Sequence, residues 1–381
     1  MNAIFSGKLF SSRLVVLTAF FINGALMATW VSRIPAIQTK LGLSEGALGL
    51  ILLGLSAGVL MALSLAGGLI ARFGSANVTI VGAVAMCLTL PILALTPHPI
   101  ALWVVLFIFG GAMSAMDVAM NEQAILVERN AGQPLMSSFH AAYSVGGLIG
   151  ALIGAGMTAL TPFLHFAIAA VTFGSAMIFA SPHLLPARRE TLENKAVFRL
   201  PERALWTLGA IAFCSSIAEG AMADWSAVYL TQILNTNAAF AALGFAAFSL
   251  TMTVGRLCGD SLKTVWKPTD IVRIGGLVAT LGLLAAIVTT EPLMVLLGFS
   301  AVGIGLSNII PLSFSTAGNF PGISTGAGIA GVATIGYAGF LAGPPFIGLI
   351  AEETSLRVAL ALVTLLVATL IVTAKAIVSP K

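Results

Sequence analysis

Residues Gly110–Ser144 read GGAMSAMDVAMNEQAILVERNAGQPLMSSFHAAYS and begin inside an apolar run that starts near Ile100. Asp117 sits deep in that run, roughly 25 Å from its start at 1.5 Å per helical residue. An ionised carboxylate at such depth in lipid costs at least ~2.5 kcal/mol unless it is paired, hydrated or protonated. It must therefore face protein or a water-filled cavity. Gly110, Ser114, Asp117, Asn121 and Ala124 recur at i, i+4, i+7, i+11 and i+14, which places them on one helix face. Phe107, Ile108, Met116, Val118, Met120 and Ile125 occupy the other faces and suit lipid or close packing. A polar stripe on an apolar helix predicts one wall of an aqueous path.

The composition extends this reading to the whole chain. Of 381 residues, 58% are hydrophobic and 8% charged, against a usual charged share of about 25%. The apolar residues fall into runs of about 20, the length that crosses a bilayer as a helix. Twelve spans are expected: 14–32, 46–70, 77–96, 100–125, 138–160, 163–181, 204–228, 238–258, 270–290, 292–314, 325–350 and 356–378. The first run is too long for the apolar core of a signal peptide and lacks a small-residue cleavage site. Lys and Arg then set the orientation. With both termini cytoplasmic, 15 of the 18 basic residues lie inside, and only Arg33, Lys40 and Arg357 lie outside. The net charge of +4 thus reports topology, and no nucleic-acid partner is expected. Cys87, Cys214 and Cys258 have no metal-ligand spacing and are expected as buried packing residues.

The longest polar segment, His183–Arg203, lies near the middle of the chain. It predicts a six-helix half over 1–182, a cytoplasmic linker over 183–203 and a second six-helix half over 204–381. The halves carry related loops. Gly67, Ala71, Arg72 and Gly74 follow span 2, and Gly255, Arg256, Gly259 and Asp260 follow span 8, 188 residues later. A similar offset brings Asp117 of span 4 onto Asn308 of span 10. Parallel six-span repeats about an axis along the membrane normal are a known transporter architecture.

At these residues the whole chain resembles the major facilitator superfamily, whose loop between spans 2 and 3 reads Gly-x-x-x-Asp-Arg-x-Gly followed by a basic pair. Gly67, Arg72 and Gly74 match, while Ala71 replaces the Asp and Ala76 and Asn77 the basic pair. In the second copy Gly255, Arg256, Gly259 and Asp260 match and Ser261 replaces the Arg. The resemblance implies gating or structural roles for Arg72, Arg256 and Asp260. Two further stretches narrow it. Trp30-Val-Ser-Arg33-Ile-Pro35 with Leu41-Gly-Leu-Ser44, and Asp117-Val-Ala-Met-Asn121 with Pro134-Leu-Met-Ser-Ser-Phe-His140, resemble the fucose-permease-like branch. Within that branch they are similar to bacterial proteins like the rhizopine-associated membrane protein. The resemblance implies an all-α membrane protein of the cytoplasmic membrane that acts as a monomer. It implies a secondary transporter of a small sugar- or polyol-like solute, driven by protons and needing no cofactor. The sugar permeases carry an acid in span 1; here that span offers only Asn23, Thr18 and Thr29.

A proton-driven carrier needs a titratable group whose affinity for protons follows its surroundings. Asp117 and Glu219 are the candidates. Around Glu219, the residues Ser215, Met222, Ser226 and Tyr229 share its face by spacing. Asp224 reads as an interfacial acid beside a membrane-belt tryptophan, Trp225. Asn23, Ser114, Asn121, Ser144, Tyr229, Asn308 and Tyr337 are the expected substrate contacts. His140, near the cytoplasmic end of span 5, is expected to gate or cap. Gly146, Gly147, Gly150, Gly154 and Gly156 predict a close-packing surface, and Gly343-Pro344-Pro345 a kink or break in span 11. Glu128 is expected as a loop acid paired with Arg129. Trp30 and Trp225 are open to either sugar stacking or interfacial anchoring.

Two other classes compete. A proton-driven efflux carrier for drugs or metabolites is the alternative, though span 5 lacks the proline that typical drug antiporters carry there. A membrane-embedded enzyme would rest on His140 and Ser144 as base and nucleophile, with no accompanying motif. No phosphate-binding Gly-x-x-x-x-Gly-Lys-Ser/Thr loop is present.

Overall fold

A computed structural model describes residues 2–132, 135–186, 202–323 and 325–377. The centre of the polar linker, residues 187–201, lies outside the described residues, as does Pro134. Among the described residues the chain is helical without strands. In the first half run α1 (Asn2–Val31), α2 (Ile34–Leu41), α3 (Glu45–Phe73), α4 (Ser75–Leu95), α5 (Pro99–Ala131), α6 (Met136–Gly156) and α7 (Pro162–Ala180). After the linker come α8 (Trp206–Gln232), α9 (Ala238–Val265), α10 (Pro268–Val288), α11 (Pro292–Leu306), α12 (Ile309–Gly318), α13 (Thr325–Glu353) and α14 (Leu356–Thr373). Twelve segments are long and apolar enough to cross a membrane. Two of them are each made of two helices: α1 with α2, and α11 with α12.

Helix ends follow local chemistry. Pro99, Pro162, Pro268 and Pro292 each open a helix, where their missing N–H is an orphan donor in any case. Gly132 ends α5 at φ 65°, left-handed geometry that a side chain would strain. Glu128, one turn earlier, accepts from the backbone N–H groups of Leu135 (2.7 Å) and Met136 (2.9 Å) and so caps α6. This corrects the expected pairing with Arg129: two orphan donors at a helix start outcompete an exposed guanidinium.

The residues form two compact units, Met1–Leu41 with Gly54–Lys195 and Gly42–Leu53 with Ala196–Lys381. Both are built on the same helix pairings. In the first, α1 packs on α6, and α4 on α5 and α7. In the second, α8 packs on α13, and α10 on α11 and α14. The first turns of α3 group with the second unit because glycines on both sides let backbones meet. A methyl on Gly49 would collide with the Pro344 carbonyl, and one on Gly348 would meet Gly49. Helix α13 runs unbroken through Pro344 and Pro345, so of the expected kink or break the break does not occur. Packing on both sides tolerates the two lost donors.

The glycine surface of α6 is real. A methyl on Gly146 would strike the Phe21 carbonyl, and one on Gly150 would crowd the Ala25 carbonyl, both in α1. Gly156 has open space around it. Gly146→Ala is therefore expected to lower the apparent melting temperature in detergent, at an overpacking cost of about 1–3 kcal/mol. Gly156→Ala is expected to leave it unchanged. Of the cysteines, Cys87 and Cys214 are buried as expected, but Cys258 is exposed on α9.

Candidate functional site

In the second unit the acid of α8 meets a cation of α9. Arg256 Nη2 donates to Glu219 Oε2 at 3.3 Å, with side-chain exposures of 38% and 14%. Glu219 Oε1 is buried and accepts no hydrogen bond among the described residues. Arg256 was expected at the cytoplasmic end of span 8, as part of a gating motif. The structure instead places it inside α9, facing an acid 37 residues earlier. Its backbone is held in place. Asn308 Nδ2 donates to the Gly255 carbonyl (2.9 Å) and to Ser307 Oγ (3.0 Å), at the junction of α11 and α12. Both amide hydrogens of Asn308 are thereby spent. Its amide group thus fixes the residue next to Arg256.

In the first unit Asp117 is half-buried on α5. Asn121 Nδ2, one turn on, donates to the Asp117 backbone carbonyl (2.8 Å) and to its Oδ1 (3.3 Å). No cation lies within ion-pair reach of Asp117 among the described residues. Ser114 is buried one turn before it. Asn23 is fully buried, and its amide donates to the Met113 carbonyl (3.1 Å), joining α1 to α5. It is a helix-to-helix tie, which corrects its reading as a substrate contact.

The remaining expectations divide. Tyr229 is fully buried; its hydroxyl donates to the Ala286 carbonyl (3.0 Å) and its ring meets Phe299. It is a core residue joining α8 to α10, not a solute contact. Trp30 and Trp225 are also fully buried, which removes both the belt and the stacking readings. Asp224 is half-buried on α8. Tyr337 is half-buried on α13. Ser144 is buried, and its hydroxyl donates to the backbone carbonyl of His140 (3.2 Å). The pairing bypasses the imidazole, which is exposed and sits edge-on to Phe20 at 5.3 Å. Arg72 is exposed at the end of α3 with its guanidinium 5.2 Å from the Phe73 ring centre. The Asp260 side chain lies outside the described ones.

One buried group escaped the sequence reading. Arg33, expected at the outer end of span 1, is 3% exposed in the gap between α1 and α2. Its Nε donates to His165 Nδ1 at 3.0 Å, and its Nη2 donates to the Met157 carbonyl. The only signal available was an Arg two residues before a Pro within an apolar stretch.

Comparison with known proteins agrees with this architecture. The chain is 36% identical over 364 residues to an uncharacterised MFS-type transporter of Yersinia pestis, covering 94% of each. It is 33% identical over 349 residues to the membrane protein MosC of Rhizobium meliloti, covering 90% of this chain and 84% of that one. Among solved structures it superposes on the nucleoside transporter NupG with a TM-score of 0.80 at 12% identity, over 96% of this chain and 99% of the other. That last likeness is one of fold. Residues 14–327 match the Major Facilitator Superfamily profile, and the chain belongs to that family of multi-pass membrane transporters.

Proposed function

We propose that this transporter moves a small polar organic solute, sugar- or polyol-like, across the bacterial cytoplasmic membrane by alternating access coupled to protons. The observation that carries the reading is the Glu219–Arg256 pair within a membrane-spanning unit. A carboxylate in that setting is stable while its cation stays beside it, and breaking such a pair is costly. Protonation of Glu219 cancels the attraction and frees Arg256, so proton occupancy and helix contact are linked. Asp117, with Asn121 as its neutral partner, is the second acid of the same kind. Ser114, Asn121, Ser144 and Tyr337 supply hydroxyl and amide groups suited to a neutral hydroxylated solute. Both termini face the cytoplasm on the distribution of basic residues, Arg72 and Asp260 act at the gate, and the carrier works as a monomer.

A ligand that binds only the folded state raises apparent stability by mass action. The purified protein is expected to gain thermal stability with one class among hexoses, deoxyhexoses, alditols and inositols. Addition of that solute to proteoliposomes is expected to move protons inward. Stabilisation by lipophilic cations alone would overturn the reading in favour of an efflux carrier.

A further inference from the structure

Helices α9, α10 and α11 border a half-open cavity of about 180 Å³ in the second unit. Its origin is a backbone-to-backbone contact. A methyl on Gly275 of α10 would strike the Gly305 carbonyl of α11, and the reverse also holds. Helices this close have no side chains at the crossing to fill the space beside it. Ile271, Ile274 and Val278 form one wall and Ile304 the other, with Ser307 and Asn308 at the floor. Ile274 and Ile304 are exposed, although both lie in membrane-crossing segments. The cavity thus opens through an apolar rim, the wrong lining for a polar solute.

Polar and basic residues flank that apolar rim. The exposed Lys267 is the extended N-cap of α10, next in the chain to Trp266 and four residues before Ile271, both of which line the cavity. Trp266, half-exposed, lines the mouth beside it, as an amphipathic ring does at a headgroup boundary. Arg273, on another face of α10, is half-exposed and lies 3.9 Å from Asp270. Deeper in, Asn308 spends its amide hydrogens on Gly255 and Ser307, while its Oδ1 accepts nothing among the described residues.

We propose that this cavity is a binding site for an anionic phospholipid, which seats the upper part of an acyl chain between α10 and α11 and its phosphate against Lys267. An acyl chain matches the lining, and a net negative headgroup matches the cation at the mouth. The orientation of the basic residues puts that mouth in the cytoplasmic leaflet. Because Asn308 connects the cavity floor to the backbone beside Arg256, an occupied site also braces the ion-paired helix.

The test is native mass spectrometry of the delipidated full chain with dioleoyl phosphatidylglycerol or dioleoyl phosphatidylcholine, which share acyl chains and differ in net charge. The wild type is expected to retain phosphatidylglycerol preferentially. Lys267→Gln is expected to reduce that preference about fivefold, the equivalent of about 1 kcal/mol per basic residue at an anionic surface. Ile274→Trp, which fills the cavity from an exposed position, is expected to lower retention of both lipids. Equal retention of the two lipids by the wild type would overturn the proposal, as would an unchanged preference in Lys267→Gln together with unchanged retention in Ile274→Trp.

Discussion

Glu219→Gln is expected to abolish solute accumulation driven by an inward proton gradient while exchange of labelled for unlabelled solute continues. The two readouts separate chemistry from folding. A pH difference of one unit is worth about 1.4 kcal/mol per proton and sustains about tenfold accumulation at one proton per solute. A glutamine keeps the shape of the side chain but carries no exchangeable charge, so the accumulation ratio should fall to unity. Arg256 then loses its counter-charge. Its 38% exposure lets the guanidinium reach water, so the fold should survive, and a symmetric elution profile with a near-native melting temperature would show it. Asp117→Asn discriminates between the two acids. If Asp117 alone carries the proton, Glu219→Gln accumulates normally and Asp117→Asn does not. That outcome would remove Glu219 from the coupling role. If neither substitution affects accumulation, both assignments fail.

The architecture was legible because bilayer-length apolar runs and basic loops are local properties of a sequence. Helical spacing also read Gly146, Gly150 and Gly154 of α6 correctly as close-packing, but not Gly156, which meets nothing. Spacing failed where the question was what covers a face. Tyr229 shares the face of Glu219, yet its ring is sealed against Phe299 while the carboxylate finds Arg256. Both facts depend on how α8 is rotated against its neighbours, which periodicity leaves open. Asn308 and Asn23 were read as solute contacts because a polar group in lipid needs a partner. Each found that partner in a backbone carbonyl of the next helix. The break at Ser307–Asn308 falls inside the apolar run 292–314, so hydropathy passes over it, whereas the expected span 1 ends at the break after Val31 without the second helix that follows.

Arg33 shows the same limit in a residue with a large expected effect on stability. It stands where α1 ends and α2 begins and reaches both the end of α6, through the Met157 carbonyl, and α7, through His165. Acceptance at Nδ1 requires a neutral imidazole with its proton on Nε2. That Nε2 is buried and finds no partner among the described residues, so the ring is held from one side only, by the guanidinium. Two effects oppose each other when Arg33 is replaced. Removing a buried charge relieves its desolvation, which favours an apolar substitute. Against this stand two lost hydrogen bonds from a charged donor, each worth about 1.5–3 kcal/mol, and one buried acceptor, His165 Nδ1, left unsatisfied, while the Met157 carbonyl still accepts from the Leu160 N–H. The losses are the larger sum, so Arg33→Met is expected to destabilise the protein by about 2–4 kcal/mol. Arg33→Lys should do no better. An ammonium keeps the burial cost, and as a compact point charge it does not span the two acceptors as the planar fork does. Thermal melts followed by size-exclusion fluorescence would compare the three proteins directly. A lysine variant that melts with the wild type would show that charge alone, not the two-armed geometry, holds α1, α6 and α7 together.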